Sequence, residues 1–319
     1  MTINKTQGQE LSFKDDIEKE FGNNPSRSLG SYRSSHPDFK NKNPGELSNL
    51  PLDTGIPQSG EIKFSDFYGK RLNIVVDCFS SGNNNFNHDC YTNRFANGSY
   101  VIVGKYKTSI SKSQWDGGKK VIIHINKQFK STNASNRDHV ALKQGTISNT
   151  ATNAWPTSTS FQIDVGSSGL VGGKGGNGGD SGNEETAGQN GGTGTSGMKI
   201  HSGTPITGEN RIFGGGGGGG SGSGAEQNDW GDKNSAAGGR GGGGAGLPGG
   251  EGGNENANED GTANAGGDGI NGANNAEAVG GNGGNGGNRN QPGQDASGGK
   301  NREHSNGEGG TAGFQYRFY

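Results

Sequence analysis

The sequence predicts a mainly β fold joined to a bundle of polyglycine-II helices, preceded by a short helix and an extended arm. Three observations carry that class. Glycine is concentrated in one half: residues 1–165 hold 13 of the 68 glycines, which leaves 68 − 13 = 55 for residues 166–319. In that half Gly-Gly-x triplets recur, at 172–179 and 280–287, on either side of an unbroken glycine run at 214–220. Short β-branched segments with alternating polarity lead into the glycine blocks, as strands do.

Composition bounds the alternatives. The 319 residues suffice for two or three domains. A hydrophobic content of 25% is well under the globular norm of about 45–50% and reads as disorder unless the halves are separated. Only the first half has enough large apolar residues for an ordinary core. The first half carries 20 Lys/Arg against 15 Asp/Glu, and the second 9 against 16, giving about +5 and −7. An acidic glycine-rich half repels phosphate backbones, so nucleic acid is not an expected partner. Cys78 and Cys90 show no metal-binding spacing, and free thiols or a bridge both remain open. No signal-peptide apolar region or membrane-length stretch occurs, so synthesis in a cytoplasm without membrane insertion is expected.

In chain order, residues 1–70 read as an arm with a short helix, 71–165 as a β module and 166–319 as the glycine-rich domain. The spacing predicts a helix over 12–22: Ser12 caps it, Asp15 sits at the capping-box position, and Phe13, Ile17 and Phe21 form one stripe. That stripe has no neighbour in sequence to cover it, so it should dock on a partner or on the next segment. A short strand and a capped turn follow around Ile62, Phe64, Ser65, Phe67 and Tyr68. Strands are expected at 72–77, 100–103, 121–126, 160–165, 198–201, 205–207 and 210–213, with few candidates between 127 and 160. Gly169-Leu170-Val171-Gly172-Gly173 and Arg211-Ile212-Phe213-Gly214-Gly215 each end a strand and open a glycine block. This repeat of about forty residues predicts stacked coils, each feeding a glycine rod.

Polyglycine II has three residues per turn and about 3.1 Å rise, so every third residue shares a face. Gly-Gly-x gives two bare faces for close backbone approach and one face for side chains, here Lys174, Asn177, Asn282 and Asn285, expected on the solvent side. A rod surrounded on all sides needs glycine on every face. Gly214, Gly217 and Gly220 therefore read as the structural centre. On this reading Gly217→Val unfolds the C-terminal half and Asn282→Val is tolerated. Alternating rods would send loops 180–187, 225–237, 254–265 and 288–297 to one end. The Leu247-Pro248 turn, loop 273–279 and the strands of 198–213 would lie at the other. Candidate binding residues on those loops are Asn228, Asp229, Trp230, Asp232, Asn256, Asn258, Arg289 and Asn290. An aromatic flanked by acids and amides suits a sugar ring or a protein loop, although Trp230 could equally pack on the bundle's flank. Residues 313–319 alternate and read as a closing strand, in preference to an outer-membrane barrel signal.

Two resemblances rest on these residues. Phe13, Ile17, Glu20-Phe21-Gly22, Pro25, Ser28-Leu29, Tyr32, Ile56-Pro57, Ser59-Gly60 and Phe64-Ser65-Asp66-Phe67-Tyr68-Gly69 are similar to the N-terminal region of tail-associated structural proteins of marine myoviruses, notably cyanophages. The Gly-Gly-x array around Gly214–Gly220 resembles the glycine-rich tail-fibre adhesins of T-even-type phages, which implies a sandwich of polyglycine-II helices, and the run from Val121 through Trp155-Pro156, Phe161 and Ile163 into the first glycine block is similar to a β module that precedes glycine-rich segments in many phage tail proteins. The resemblance implies a non-enzymatic virion protein without cofactor or metal. Its N-terminal region (Phe13, Ile17, Phe21, Phe64, Phe67, Tyr68) would anchor to other tail or baseplate proteins, and its loops would meet a host polysaccharide or outer-membrane protein. A homo-oligomer is allowed, and a purely architectural tail protein is the alternative. Gly-x-Gly-x-x-Gly matches lack a strand-to-helix context, the six His show no metal spacing, and the acidic run 254–261 lacks EF-hand order.

Overall fold

The computed structural model describes residues 3, 5–21, 28–33, 55–57, 59–71, 74–78, 88–90, 100–103, 106–108, 120–131, 136, 138–148, 150–151, 154–155, 157, 159–183, 186–229, 232–253, 260–262, 264–270, 272–275, 278–299 and 305–319. Near the N-terminus, Phe13–Glu18 form a π-type turn that runs into a helical turn, Lys19–Phe21. Ser12 caps it by accepting the Asp15 N–H at 3.1 Å, and Asp16 reaches back to the Ser12 N–H at 2.7 Å. The apolar stripe does find cover within the chain. Ile17, Phe21, Tyr32, Ile56, Phe67 and Ile3 form a small buried core, with Phe21, Tyr32 and Phe67 ring centroids 5.6–6.0 Å apart.

Beyond it the chain winds in coils. A leading coil supplies β1 (Ile74–Cys78) and β2 (His88–Asp89), and β3 (Tyr100–Val103) and β4 (Tyr106–Thr108) add antiparallel strands beside β1. The next coil is β5 (Lys120–Ile125), β6 (Gln128–Lys130) and β7 (Val140–Lys143). The second is β8 (Ser160–Val165), β9 (Leu170–Gly172) and β10 (Ser196–Ile200). The third is β11 (Ile206–Thr207), β12 (Ile212–Phe213) and, much later, β17 (Tyr316–Phe318). Equivalent strands pair in parallel, so three sheets form the walls of a β-solenoid: β1-β5-β8-β11, β6-β9-β12 and β2-β7-β10-β17.

Inward positions repeat from coil to coil, because parallel pairing in register stacks like on like. Ile123 stands beside Ile163 and then Ile206, and Phe129 beside Val171 and then Ile212. These residues, with Leu142, Met198, Cys90 and Trp155, make one core. Trp155 is fully buried, and its indole N–H donates to the Gln144 carbonyl at 3.0 Å. The short strands β6 and β7 fall in the stretch where few strands were expected. Three or four residues are too few to show a period, and the coil stacking supplies what local propensity lacks.

The glycine-rich region is an insertion in this solenoid. In each of these three coils the chain goes from a strand of the second wall to one of the third: from β6 to β7, from β9 to β10, and from β12 to β17. The expected boundary at 165 therefore falls inside a continuing solenoid, since β9, β10, β12 and β17 all belong to it. The repeat of strand then glycine arises because two successive coils carry their long insert at the same corner.

In the insert, extended segments with no sheet pairing exchange backbone hydrogen bonds laterally at every third residue. The run from Gly214 to Ser223 is surrounded by six of them. Its N–H groups at Gly215, Gly218 and Ser221 donate to Thr195, Gly192 and Gln189; those at Gly216, Gly219 and Gly222 to Ala245, Gly242 and Gly239; those at Gly217 and Gly220 to Gln291 and Gln294. Its carbonyls accept from Gly176, Gly179 and Gly182, from Gly287, Gly284 and Gly281, and from Gly313, Gly310 and Gly307. Asn290 and Asn306 accept the two remaining N–H groups, at Gly214 and Ser223. A Cβ added at Gly217, Gly218 or Gly219 would collide with the carbonyl of Gly310, Asn177 or Gly284, one in each of three directions.

The polar residues at the third position do more than face solvent. The side-chain carbonyls of Asn282, Asn285 and Asn288 accept the N–H groups of Gly272, Gly269 and Gly266 at 3.1, 2.8 and 3.2 Å. Asn190 and Asp295 do the same for Glu308 and Gly309, both at 2.8 Å. The expectation that Asn282→Val is tolerated is corrected accordingly: it removes an acceptor and leaves an N–H unpaired.

Gly217→Val should abolish the protease-resistant core of residues 173–315, whereas Gln294→Ala, at an exposed side chain, should leave it intact; Asn282→Val should cost about 1–3 kcal/mol in denaturant unfolding. In the wall formed by β5, β8 and β11, the buried His124 has its Nδ1 2.8 Å from Asp164 Oδ2, and the Thr207 hydroxyl donates to the same carboxylate. The His124 contact, helped by Thr207 and opposed by burial, holds the Asp164 carboxyl below its ordinary value of 3.8. Stabilisation from a depressed carboxyl is complete above that ordinary value and is lost as pH falls through the lower folded one. Acid unfolding followed by circular dichroism should therefore show a shallower loss of stability below about pH 4 in Asp164→Asn than in the parent chain.

Candidate functional site

The direction of each segment against the central run places the connections. The central run leaves β12 at the end nearest the solenoid and reaches the far end at Ser223, where the hairpin β13 (Ala225–Asp229) and β14 (Asp232–Ala236) begins. Gly182 pairs with Gly222 and Gly188 lies beside Ser221, so connection 183–187 is also at the far end. Ala273 and Gly280 border Ala237, which puts the hairpin β15 (Asn274–Asn275) and β16 (Ala278–Val279) there too. Ser297 pairs with Asn282 and Gly307 with Ser221, so both of these residues lie at the same end. The Leu247-Pro248, Thr262–Ala265 and Asn288–Asn290 turns lie at the solenoid end.

This arrangement corrects two expected loop positions. Loop 273–279 lies at the far end, not near the solenoid. Residues 288–297 are a turn at the solenoid end followed by a further extended segment beside the centre, and 254–265 returns toward the solenoid through 260–262. The strict Gly-Gly-x pattern missed segments 260–262, 291–297 and 305–313. Peripheral segments need glycine only where they meet a neighbour, so their signal is weaker. Each missed segment reverses the expected alternation.

Of the candidate binding residues, Asn228, Asp229 and Asp232 lie on the hairpin strands at the far end, with Asp229 opposite Asp232 next to the turn. Trp230, Asn256 and Asn258 lie outside the described residues. Arg289 and Asn290 sit at the opposite end and act within the fold. The Arg289 guanidinium lies 3.5 Å over the Phe213 ring, and burial lowers its pKa. Asn290 adopts a left-handed backbone, accepts the Gly214 N–H at 2.6 Å and donates its own N–H to the Gly214 carbonyl at 3.1 Å. Both residues secure the start of the central run, so their role as tip contacts is withdrawn.

The candidate anchoring residues divide by exposure. Ile17, Phe21 and Phe67 are buried in their own core and present no surface to a partner. Phe64 is 42% exposed, stacks edge-on against Phe13 at 6.1 Å, and shares that side with the half-buried Phe13. Tyr68 is half-buried, and its hydroxyl donates to the Gln9 carbonyl. Sequence reasoning missed Ser221, Ser223 and the Asn282/285/288 ladder. The signal was present: backbone N–H groups in glycine segments need acceptors, and serine or asparagine marks where side chains supply them.

Fold and geometry define a solenoid that carries a laterally bonded, glycine-rich insert, with the β13–β14 and β15–β16 hairpins at the end away from the solenoid. Residues 81–317 match the sequence profile of the phage tail fibre adhesin Gp38 family. The chain belongs to that family and is a receptor-binding adhesin of a phage tail. No curated protein matches it. Among solved structures, it is similar to a chain of the gp37-gp38 adhesin tip complex of the bacteriophage S16 long tail fiber, at 18% identity, TM-score 0.32, and coverage of 83% of this chain and 86% of that one.

Phe67→Ala should destabilise the N-terminal core by about 3–5 kcal/mol, and Phe64→Ala by about 1 kcal/mol. Thermal unfolding of the two variants checks the difference.

Proposed function

We propose that the glycine segments are polyglycine-II helices, and that their far end is the surface that meets the host cell. The observation that carries the reading is that the hairpin strands β13–β14 and β15–β16, with Gly182, Gly188, Ser297 and Gly307, all lie at one end of a scaffold held by lateral backbone bonds. Bonding at every third residue, with three faces used in turn, is what a threefold extended helix supports. A rigid scaffold reduces the ordering cost of binding, and irregular connections on such a scaffold are where specificity resides. The ligand class is a surface polysaccharide or an exposed loop of an outer-membrane protein. Asp229 pairs with Asp232, and Trp230 lies between them in sequence, so an aromatic with acidic sequence neighbours is available for either.

The opposite part of the chain attaches to other tail proteins, with Phe64, Phe13 and Tyr68 as the contact residues of the N-terminal region. The protein is made in the cytoplasm of the bacterial host and acts by adhesion, without catalysis. Several copies per particle would add avidity.

Replacing residues 226–235 by a short Gly-Asn turn should leave the purified protein folded and assembled on particles, and lower the rate of adsorption to host cells. Unchanged adsorption and host range would show the tip to be architectural.

A further inference from the structure

Asparagine followed by glycine is a sequence at which a polypeptide readily modifies itself. The glycine nitrogen, once it has given up its proton, can attack the asparagine side-chain carbonyl carbon, and glycine has no side chain to obstruct the approach. Five such pairs lie wholly within the described residues, all in the glycine-rich insert: Asn177-Gly178, Asn190-Gly191, Asn282-Gly283, Asn285-Gly286 and Asn306-Gly307.

All five make the same two bonds to one neighbouring segment. The asparagine Oδ1 accepts a backbone N–H, and the following glycine N–H donates to a backbone carbonyl. Where the segments run parallel, one residue supplies both groups: Glu308 to Asn190-Gly191, at 2.8 Å in each bond, and Glu251 to Asn177-Gly178, at 3.3 and 2.8 Å. Where they run antiparallel, the two groups come from residues two apart. Gly272 and Ile270 serve Asn282-Gly283, Gly269 and Gly267 serve Asn285-Gly286, and Ser223 and Ser221 serve Asn306-Gly307, all at 2.8–3.1 Å.

Each such clip restrains both reacting groups. A donated N–H is withheld from the base that must remove its proton, and a bound Oδ1 keeps its carbonyl carbon from swinging onto the nitrogen. Attack needs a well-oriented contact of about 3–3.5 Å. None of the five asparagines is buried, so the bonds, and not exclusion of water, hold them back.

We propose that Asn177, Asn190, Asn282, Asn285 and Asn306 are deamidation sites that the assembled insert holds inert and that react when a segment opens. In the reaction the glycine nitrogen bonds to Cγ, and the bond from Cγ to the carboxamide nitrogen breaks. That nitrogen takes up a proton and leaves as ammonia, and water then opens the cyclic imide at either carbonyl. One opening gives aspartate, which keeps the clip: Asp260 and Asp295 already accept the N–H groups of Gly252 and Gly309, while Gly261 and Ala296 donate to Gly250 and Gly307. The other gives isoaspartate, which adds the side-chain methylene to the main chain, so lateral bonds beyond it lose their place in the three-residue repeat. A reversible opening is thereby made permanent.

The test compares the full-length protein with Ser202→Asn, which puts an asparagine before Gly203 in an exposed turn where, among the described residues, nothing accepts the Gly203 N–H. Both are incubated at mildly alkaline pH, folded and in denaturant. Peptides are scored by mass spectrometry for loss of ammonia with uptake of water, and by isoaspartyl methylation. In denaturant all pairs should react at similar rates. In the folded protein the five clipped pairs should react at least about 100-fold more slowly, since only the open population reacts, and the pair at 202–203 should stay within about tenfold of its denatured rate. Gly217→Val, which opens the insert, should bring the five pairs up to the denatured rate, and it reads the proposal even where Ser202→Asn fails to fold. Reaction of the five pairs in the folded protein as fast as at position 202 overturns the proposal. So does a pair at 202–203 as inert as they are, because folding without a clip would then account for the protection.

Discussion

Everything beyond the solenoid depends on one constraint: every backbone donor and acceptor of the buried central run must find a partner in another segment. Ordinary folds meet that demand inside a helix or between two strands. Here each residue of the run turns its N–H to one neighbour and its carbonyl to another, and three residues complete the circuit of six. Only glycine allows backbones to approach on all three faces. Fixing a glycine costs more conformational entropy than fixing any other residue, and each lateral bond returns only about 1 kcal/mol net. A single such segment cannot hold its shape. The array is stable because every segment satisfies several others at once, and because its ends are held.

The holding is topological. The insert leaves the solenoid twice from its second wall and returns twice to its third, so segments 173–195 and 214–315 are both tethered at each end by strands already paired in register. The final strand closes the third wall. Its Tyr316 packs against the core, where burial and Glu209 raise the phenol's pKa. Tyr319 stacks on His201 with centroids 4.3 Å apart. The solenoid thus supplies what glycine lacks, a hydrophobic core with specific side-chain packing.

Much of this was legible in the sequence. Alternating residues at 160–165 and the β-branched run at 121–125 located wall strands, and the repeated passage from strand to glycine revealed stacked coils. The unbroken glycine run marked the segment with neighbours on all sides. Other features were hidden for physical reasons. Phe13, Ile17 and Phe21 looked unpartnered because their cover, Tyr32 and Phe67, is separated by long polar sequence and becomes adjacent only in the fold. Arg289 and Asn290 looked like loop residues because the segment after them has few glycines, which suffices at the bundle's edge but leaves no period to read.

The same constraint bears on how an adhesin can change its specificity. In a conventional core a substitution is felt through side-chain packing, and loops often share side chains with that core. In the bundle the contacts between segments are backbone to backbone, or run through short Asn, Asp and Ser side chains to backbone N–H groups. Residues beyond the last lateral bond of each segment contribute nothing to that scheme. Substitutions at hairpin positions beyond those bonds should therefore have little effect on the lateral scheme.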